Sequence, residues 1–228
     1  MEHMTVIAAL GSSFAAGPGL PRRANYPHVL AEMLGARLVD LTKSGTTTAQ
    51  LPVERIPEDA DLVTITAGGN DLGYLGAVIN AALTATFEGR PATFALANLL
   101  RKDIPVPSDA DIARTADGLR AVVEGARRRA PRARILLVEY LPLFGAETRP
   151  GLFTSAQLTQ FAELQHAVGE AYARTGMETV AVSREHALGS AEPWVNDYRG
   201  LLRLSSSFHP NAAGMRAVAD AIAGQLDR

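Results

Sequence analysis

The chain has 228 residues, a formal net charge of −2 and a sequence pI near 6.2. Apolar residues make up 47% and charged residues 20%, the balance expected of a globular protein with one full hydrophobic core. Neither the net charge nor the motifs indicate a nucleic-acid-binding protein. The absence of cysteine excludes disulfides, a thiolate nucleophile and Cys-based metal sites.

The amino-terminal segment predicts a cytoplasmic protein. Residues 1–4 lead directly into an apolar run, without the basic region and cleavage site of a signal peptide. No segment approaches the run of about 18 apolar residues that would span a membrane. The cytoplasm is therefore the default prediction, and a secreted form from which a signal has been trimmed stays open.

Five short apolar runs alternate with helical patterns along the chain. Strands are predicted over residues 5–10, 37–41, 61–66, 133–139 and 177–182. Helices are predicted over residues 26–34, 109–129, 158–174 and 211–226. This alternation is typical of a parallel sheet covered on both faces. We therefore predict a single α/β domain over residues 1–228, a three-layer α/β/α sandwich with a flavodoxin-like, five-stranded parallel sheet.

Two segments exceed ordinary loop lengths. Residues 74–107, after the third strand, contain enough apolar side chains for one or two extra helices, with a break near Gly89, Arg90 and Pro91. This helical insertion is either a satellite core packed on the sheet edge or a lid or pocket wall. The second segment, residues 187–207, is predicted to be an irregular approach to the last helix.

The first predicted strand ends in residues 11–17, GSSFAAG, where two glycines bracket a pair of serines. A strand that ends in Gly and Ser leaves a small nucleophile at the carboxyl edge of the sheet. Open α/β sheets bind their ligands at that edge. Taken alone, the same residues are typical of an ordinary turn.

Two further loops are predicted at the same edge. The second strand leads to Ser44, Gly45 and Thr46, and the third leads to Gly68, Gly69, Asn70 and Asp71. A Ser hydroxyl, a Gly N–H and an Asn NH₂ together supply a nucleophile and oxyanion donors. Gly45 lets the backbone approach a substrate oxygen, and Asn70 donates hydrogen bonds without carrying charge.

His209 is the histidine best placed for catalysis. It lies in the segment SSFHPN, directly before a helix capped by Asn211, and Pro210 restricts the chain beside it. The other histidines, His3, His28, His166 and His186, form no metal-binding spacing with one another. The sequence therefore predicts no zinc site.

These four segments resemble the SGNH (GDSL-type) hydrolases, named for Ser, Gly, Asn and His in four sequence blocks. The resemblance spans residues 11–214 and makes Ser13 the nucleophile and His209 the general base and acid. It implies an oxyanion site formed by Ser13, Gly45 and Asn70. The expected activity is that of an esterase or lipase acting through an acyl-enzyme on a small-molecule or lipid-like ester, without metal or organic cofactor.

Three alternatives stay open at this point. An acyltransferase or a carbohydrate O-acetylesterase would use the same site with another acceptor or substrate. A non-catalytic ligand-binding module would keep the pocket without the activity. For the enzyme, the base must be neutral, so kcat/KM is predicted to rise through a pKa near ~6.5, the unperturbed histidine value.

The chain departs from the family pattern at two positions. Ser12 stands where the family usually has an Asp before the nucleophile, and Ser206 stands where it usually has an Asp three residues before the base. A backbone carbonyl in the turn of residues 205–207 is our first candidate for accepting the His209 Nδ1–H. An acidic residue of the preceding loop, Asp197 or Glu192, is the second.

Overall fold

The structure, a computed structural model, describes residues 4–88 and 91–227. The described residues form one sheet from β1 (Val6–Gly11), β2 (Arg37–Asp40), β3 (Leu62–Thr66), β4 (Arg134–Val138) and β5 (Thr179–Val180). The strand order is β2-β1-β3-β4-β5 and every neighbouring pair is parallel.

Seven α-helices connect and cover the strands of this described part. They are α1 (Ser13–Ala16), α2 (Tyr26–Met33), α3 (Tyr74–Glu88), α4 (Phe94–Leu100), α5 (Asp109–Arg129), α6 (Ser155–Thr175) and α7 (Ala212–Leu226). Short 3₁₀ helices lie at Thr48–Gln50, Val53–Arg55, Pro91–Thr93 and Leu201–Ser206.

The helices form two layers. α2 packs against α7, and α5 packs against α6. Right-handed crossovers place the helix after β1 and the helix after β3 on opposite faces, because the two connections run in opposite directions along the sheet. The predicted three-layer α/β/α sandwich with a five-stranded parallel sheet is thus confirmed.

The sheet is buried on both faces, which explains its nearly continuous apolar strands. All six residues of β1 and all five of β3 are buried. β1 and β3 are neighbours, yet the chain leaves β1 toward β2 and β3 toward β4. At such a switch point the two connections diverge and open a crevice at the carboxyl ends of the strands. Residues placed directly after β1 and β3 therefore border this crevice.

Two elements have boundaries that differ from the predicted ones by more than one residue. β5 contains only Thr179–Val180 instead of residues 177–182, since only Leu137 and Val138 of β4 pair with it. α6 begins at Ser155 instead of residue 158. The earlier start comes from a capping box, in which Thr154 Oγ1 accepts from the Gln157 N–H at 3.2 Å and Gln157 Oε1 accepts from the Thr154 N–H at 2.9 Å.

The segment predicted as a helical insertion contains α3 and α4. α3 packs against α6, and its buried Tyr74 donates a hydrogen bond to Gln165 Oε1 at 2.8 Å. Of the predicted break, Gly89 and Arg90 lie outside the described residues, and Pro91 opens a 3₁₀ helix. A lid or pocket-wall role for this segment stays a prediction. Within the described ranges, no helix is both long and apolar enough to cross a membrane.

Candidate active site

Ser13 lies two positions after the carboxyl end of β1, at the first position of α1. A Cβ on Gly11 would lie 2.8 Å from the Thr66 carbonyl oxygen, so glycine is needed where the strand ends. The Ser12 N–H donates to that same oxygen at 2.8 Å. The N–H groups of a first helical turn have no partner within the helix. The Ser13 N–H is therefore available to a substrate oxygen, beside a side chain that is 5% exposed.

Gly45 lies in the turn after β2, beside the end of β1. The Lys43 N–H donates to the Gly11 carbonyl at 2.9 Å, and Thr46 Oγ1 donates to the Lys43 carbonyl at 2.8 Å. Gly45 is exposed and has a φ of +83°, in the left-handed region that favours glycine. A Cβ there would meet no atom within 4 Å, so the backbone conformation and not the packing requires glycine.

Asn70 lies in the loop after β3 and reaches the turn that contains Gly45. Its Nδ2 donates to the Thr46 carbonyl at 2.8 Å. The next residue, Asp71, accepts from the Thr48 N–H at 3.1 Å and from the Thr48 hydroxyl at 2.6 Å. An amide nitrogen carries two hydrogens, so one remains for a substrate oxygen. These bonds join the loops after β2 and β3 into one unit.

His209 lies in the loop before α7, and its ring centroid is 6.0 Å from that of Phe14, the residue after Ser13. The His209 Nδ1 atom is 2.8 Å from the Ser207 carbonyl oxygen. Because a carbonyl oxygen only accepts, the ring proton is on Nδ1. The Nε2 atom is therefore free to accept a proton.

The backbone on both sides of this histidine is fixed. Phe208 is fully buried and has a φ of +59°. A bulky residue in this conformation costs on the order of 1–3 kcal/mol, so the surroundings must offset the strain. The Phe208 N–H donates to the Asn196 carbonyl at 3.0 Å, and the Asn196 N–H donates to the His209 carbonyl at 2.8 Å. The backbone that carries the imidazole is consequently held on both sides by the main chain of Asn196.

None of the proposed third-member side chains lies at the His209 Nδ1 atom. The Asp197 carboxylate accepts from the Tyr198 N–H at 2.6 Å. The Ser206 hydroxyl donates to the Arg203 carbonyl at 2.9 Å. Glu192 contributes only its carbonyl oxygen, which is 2.9 Å from His186 Nδ1. The partner of His209 Nδ1 is instead the carbonyl of Ser207, in the turn of residues 205–207.

In the ranges that the structure describes, no hydrogen bond joins Ser13 Oγ to His209. The ring of Phe14, the residue after Ser13, nonetheless lies beside the His209 ring. Ser13 and His209 are both buried, at 5% and 4% exposure. In unliganded enzymes the hydrogen bonds used in catalysis are often long and tighten only when substrate binds. The geometry is thus compatible with a nucleophile and base that meet in the substrate complex.

Burial lowers the pKa of His209 from 6.5 to about 4, and the hydrogen bond to Ser207 opposes this effect only in part. A charged imidazolium loses its hydration when it is enclosed, so the neutral form is favoured. A general base must be neutral. With this lowered pKa, His209 stays neutral at pH values well below 6.5, its unperturbed pKa.

Tyr140 is a site residue that the sequence did not identify. It follows β4 by two positions, and its hydroxyl lies 2.7 Å from Ser12 Oγ and 3.3 Å from the Gly69 nitrogen. The sequence signal that could have found it is its position after β4, the strand next to β3, because the residues after these parallel strands share the carboxyl edge of the sheet. Among the described residues, no group of three or more His, Cys, Asp or Glu side chains is arranged to hold a metal ion.

Comparison with known proteins identifies the family of this chain. The sequence profile of the GDSL-like lipase/acylhydrolase family matches residues 9–217. The chain belongs to this family. The matched range contains all four segments around Ser13, Gly45, Asn70 and His209. By family, this GDSL-like protein is an ester hydrolase of the SGNH type.

A relative supports this assignment, and solved structures share the fold. The GDSL-like hydrolase is 32% identical over 251 aligned residues to Lipase 2 of Streptomyces coelicolor, an alignment that covers 93% of this chain and 82% of the relative. Its fold is similar to that of phospholipase A1 from Streptomyces albidoflavus, with a TM-score of 0.74, 18% identity and coverage of 97% and 99% of the two chains. An extracellular lipase from Streptomyces rimosus gives a TM-score of 0.71 at 23% identity and 96% and 99% coverage.

Proposed function

We propose that this hydrolase cleaves carboxylic esters through an acyl-enzyme on Ser13. His209 Nε2 takes the proton from Ser13 Oγ while Oγ forms a bond to the ester carbonyl carbon. The N–H groups of Ser13 and Gly45 and the second Nδ2 hydrogen of Asn70 hold the oxyanion. The bond to the alcohol oxygen then breaks, and the alcohol leaves with the proton from His209. Water then bonds to the acyl carbon while His209 Nε2 takes its proton. The bond between the acyl carbon and Ser13 Oγ breaks, His209 returns the proton to Oγ, and the carboxylic acid leaves.

The hydrogen bond from His209 Nδ1 to the Ser207 carbonyl is the observation that carries this proposal. It supports a base whose Nε2 atom is unprotonated. In Ser-His-Asp triads, a change that favours the wrong tautomer lowers turnover by about 10⁴-fold. A neutral carbonyl keeps the correct tautomer and gives up only the electrostatic stabilisation that a carboxylate lends to the imidazolium. A dyad assisted by a main-chain acceptor is therefore sufficient for the mechanism.

The proposed substrate is a small-molecule or lipid-like ester. Relatives named as lipases and as a phospholipase A1 favour an acyl ester, and membership of a hydrolase family favours the enzyme over a binding module. A series of p-nitrophenyl esters of increasing acyl length, with acetylated sugars measured alongside, distinguishes an esterase or lipase from an O-acetylesterase. Added alcohol acceptors report acyl transfer as a new ester product.

A fluorophosphonate probe tests the nucleophile directly. The probe reacts with a serine hydroxyl that a base activates. The reaction is fast where oxyanion donors bind the phosphoryl oxygen of the probe. We expect one adduct per chain, on Ser13, in the native protein and none after denaturation. Peptide mass spectrometry locates the adduct. Absence of an adduct, or an adduct confined to another serine, would contradict the proposal.

The residue that orients the base is tested by Asp197→Asn. Since the Asp197 carboxylate contacts the Tyr198 N–H and not the imidazole, this variant is expected to keep kcat/KM within about threefold of the parent protein. Loss of a buried hydrogen-bonded carboxylate next to His209 would cost far more, as mutation of triad acids does. A decrease of several hundredfold with an unchanged circular dichroism spectrum would restore Asp197 as the third member.

A further inference from the structure

Tyr140 connects two of the three loops that carry the proposed oxyanion donors, those after β1 and β3. Its oxygen accepts the Gly69 N–H at 3.3 Å and lies 2.7 Å from Ser12 Oγ. A phenol has one proton, so the Tyr140 O–H is free to donate to Ser12. Ser12 precedes Ser13, and Gly69 precedes Asn70. The same hydroxyl is therefore bonded one residue away from each of these two donors.

The ring of Tyr140 is fixed as closely as its hydroxyl. Its centroid is 4.6 Å from that of Phe14, the residue that contacts His209. On its other side, a Cβ added to Gly69 would lie 2.8 Å from Tyr140 Cε1, so backbone and ring are in close contact there. Burial raises the pKa of Tyr140 to about 12, so its proton is present at every pH at which the enzyme can work.

We propose that Tyr140 is a positioning residue of the oxyanion site, whose hydroxyl fixes the loop of Ser13 relative to the loop of Asn70 through Ser12 and Gly69. The inference rests on the proposed function. In the bond between Tyr140 and Ser12, the Ser12 Oγ atom, at the position where the family usually has an Asp, accepts the proton of the phenol. The bridge spans 128 positions of sequence, which makes it a tertiary feature of the site.

The expected consequence is a loss of turnover without a loss of substrate binding. Removal of the Tyr140 hydroxyl breaks the bond that fixes one loop relative to the other. A misplacement of about 1 Å in a reacting constellation costs up to about 10²-fold. The oxyanion contacts form fully only in the transition state, so kcat falls while KM is nearly unchanged. For Tyr140→Phe we expect kcat to fall by about 10- to 100-fold, with KM within about threefold.

Steady-state kinetics on a short-chain p-nitrophenyl ester test this, together with the rate of fluorophosphonate inactivation, which should fall in parallel with kcat. Ser12→Ala removes the other partner of the same bond. In a double-mutant cycle, the double variant should be no slower than the slower single variant, because both changes break one interaction. Thr175→Val is the control: it removes a buried hydroxyl that donates to the Tyr172 carbonyl at the end of α6, before β5, and should keep kcat unchanged.

Three results would overturn the proposal: kcat of Tyr140→Phe within twofold of the parent, a rise in KM at constant kcat, or fully additive effects of the two single changes. If Tyr140→Phe does not fold, Ser12→Ala alone decides, since its kcat must then fall with KM unchanged. Fluorophosphonate labelling tests the Tyr140 role separately from the proposed function. An adduct on Ser13 in the parent protein with equal inactivation rates in both variants refutes the Tyr140 role and leaves the nucleophile assignment intact.

Discussion

Ser13→Ala is expected to lower kcat/KM for a p-nitrophenyl ester by about 10⁴- to 10⁶-fold, the range found when the nucleophile of a serine hydrolase is removed. The oxyanion donors and the base remain, but no covalent intermediate can form. Any residual rate reflects water attack assisted by the remaining groups. The hydroxyl makes no hydrogen bond within the described part of the chain, so its loss should leave the melting temperature almost unchanged.

Ser206→Ala is the matched control for this experiment. Ser206 is as buried as Ser13, at 4% exposure, and its hydroxyl contacts the Arg203 carbonyl instead of the imidazole. We expect this variant to lose some stability, about 1 kcal/mol for one buried hydrogen bond, and to keep most of its activity. Equal activity of Ser13→Ala and the parent protein would refute the acyl-enzyme mechanism. A large loss in Ser206→Ala alone would assign Ser206 to the orientation of the base.

Acid is expected to destabilise the fold through His209. Its pKa is about 4 in the folded protein and 6.5 when unperturbed, so between these values the unfolded chain binds the proton and the folded chain does not. Above pH 6.5 the group contributes nothing to pH dependence, and as the pH falls from 6.5 to 4 the free energy of unfolding decreases. That difference in pKa corresponds to about 3 kcal/mol, or a change of roughly 300-fold in the unfolding equilibrium.

His209→Asn isolates this contribution. The asparagine amide can donate to the Ser207 carbonyl but does not titrate in this range. Urea denaturation at several pH values from 4 to 8 should therefore show a smaller decrease in stability for the variant, by about 3 kcal/mol. All other titrating groups are common to both proteins and cancel in the comparison. Parallel pH profiles of the two proteins would contradict a buried, neutral His209.

The same burial changes the expected pH profile of activity. The sequence alone predicts that kcat/KM rises through a pKa near ~6.5. With the pKa of His209 lowered to about 4, the acid limb should instead lie well below pH 6 in the parent protein. Measurements of kcat/KM from pH 4 to 8, on the esters used above, distinguish the two profiles. A half-maximal value near 6.5 would show that His209 is hydrated in the working enzyme.

Elements with strong local signals could be read from the sequence. α5 spans Asp109–Arg129, as predicted, because Ser108 caps it and the chain turns at Pro131. The strands were found because residues buried on both faces give continuous apolar runs. β5 was overestimated for the same reason: Val182 is 8% exposed and buried like a strand residue, but it has no strand partner. Burial is visible in a sequence, whereas hydrogen-bond pairing at a sheet edge is not.

In the candidate site, too, the sequence predicts some features and leaves others undetermined. Strand order brings the loops after β1, β2 and β3 to one edge, so topology alone predicts that Ser13, Gly45 and Asn70 lie near one another. The contacts between side chains of distant segments could not be read. Tyr140 on Ser12 and Asn70 on Thr46 depend on how loops of irregular conformation pack. No periodic pattern records such packing, and the same holds for the burial that lowers the pKa of His209.

The acceptor that orients His209 is the main-chain carbonyl of a residue two positions earlier in the chain. Every amino acid supplies a carbonyl, so substitution of a side chain cannot delete this group. Alanine scanning of residues 190–206 would consequently find no single residue equivalent to a triad acid. The loop before α7 therefore does not need to place a carboxylate beside the histidine. Apart from Asn196, whose main chain holds Phe208 and His209, its residues can change while the geometry of the base is kept.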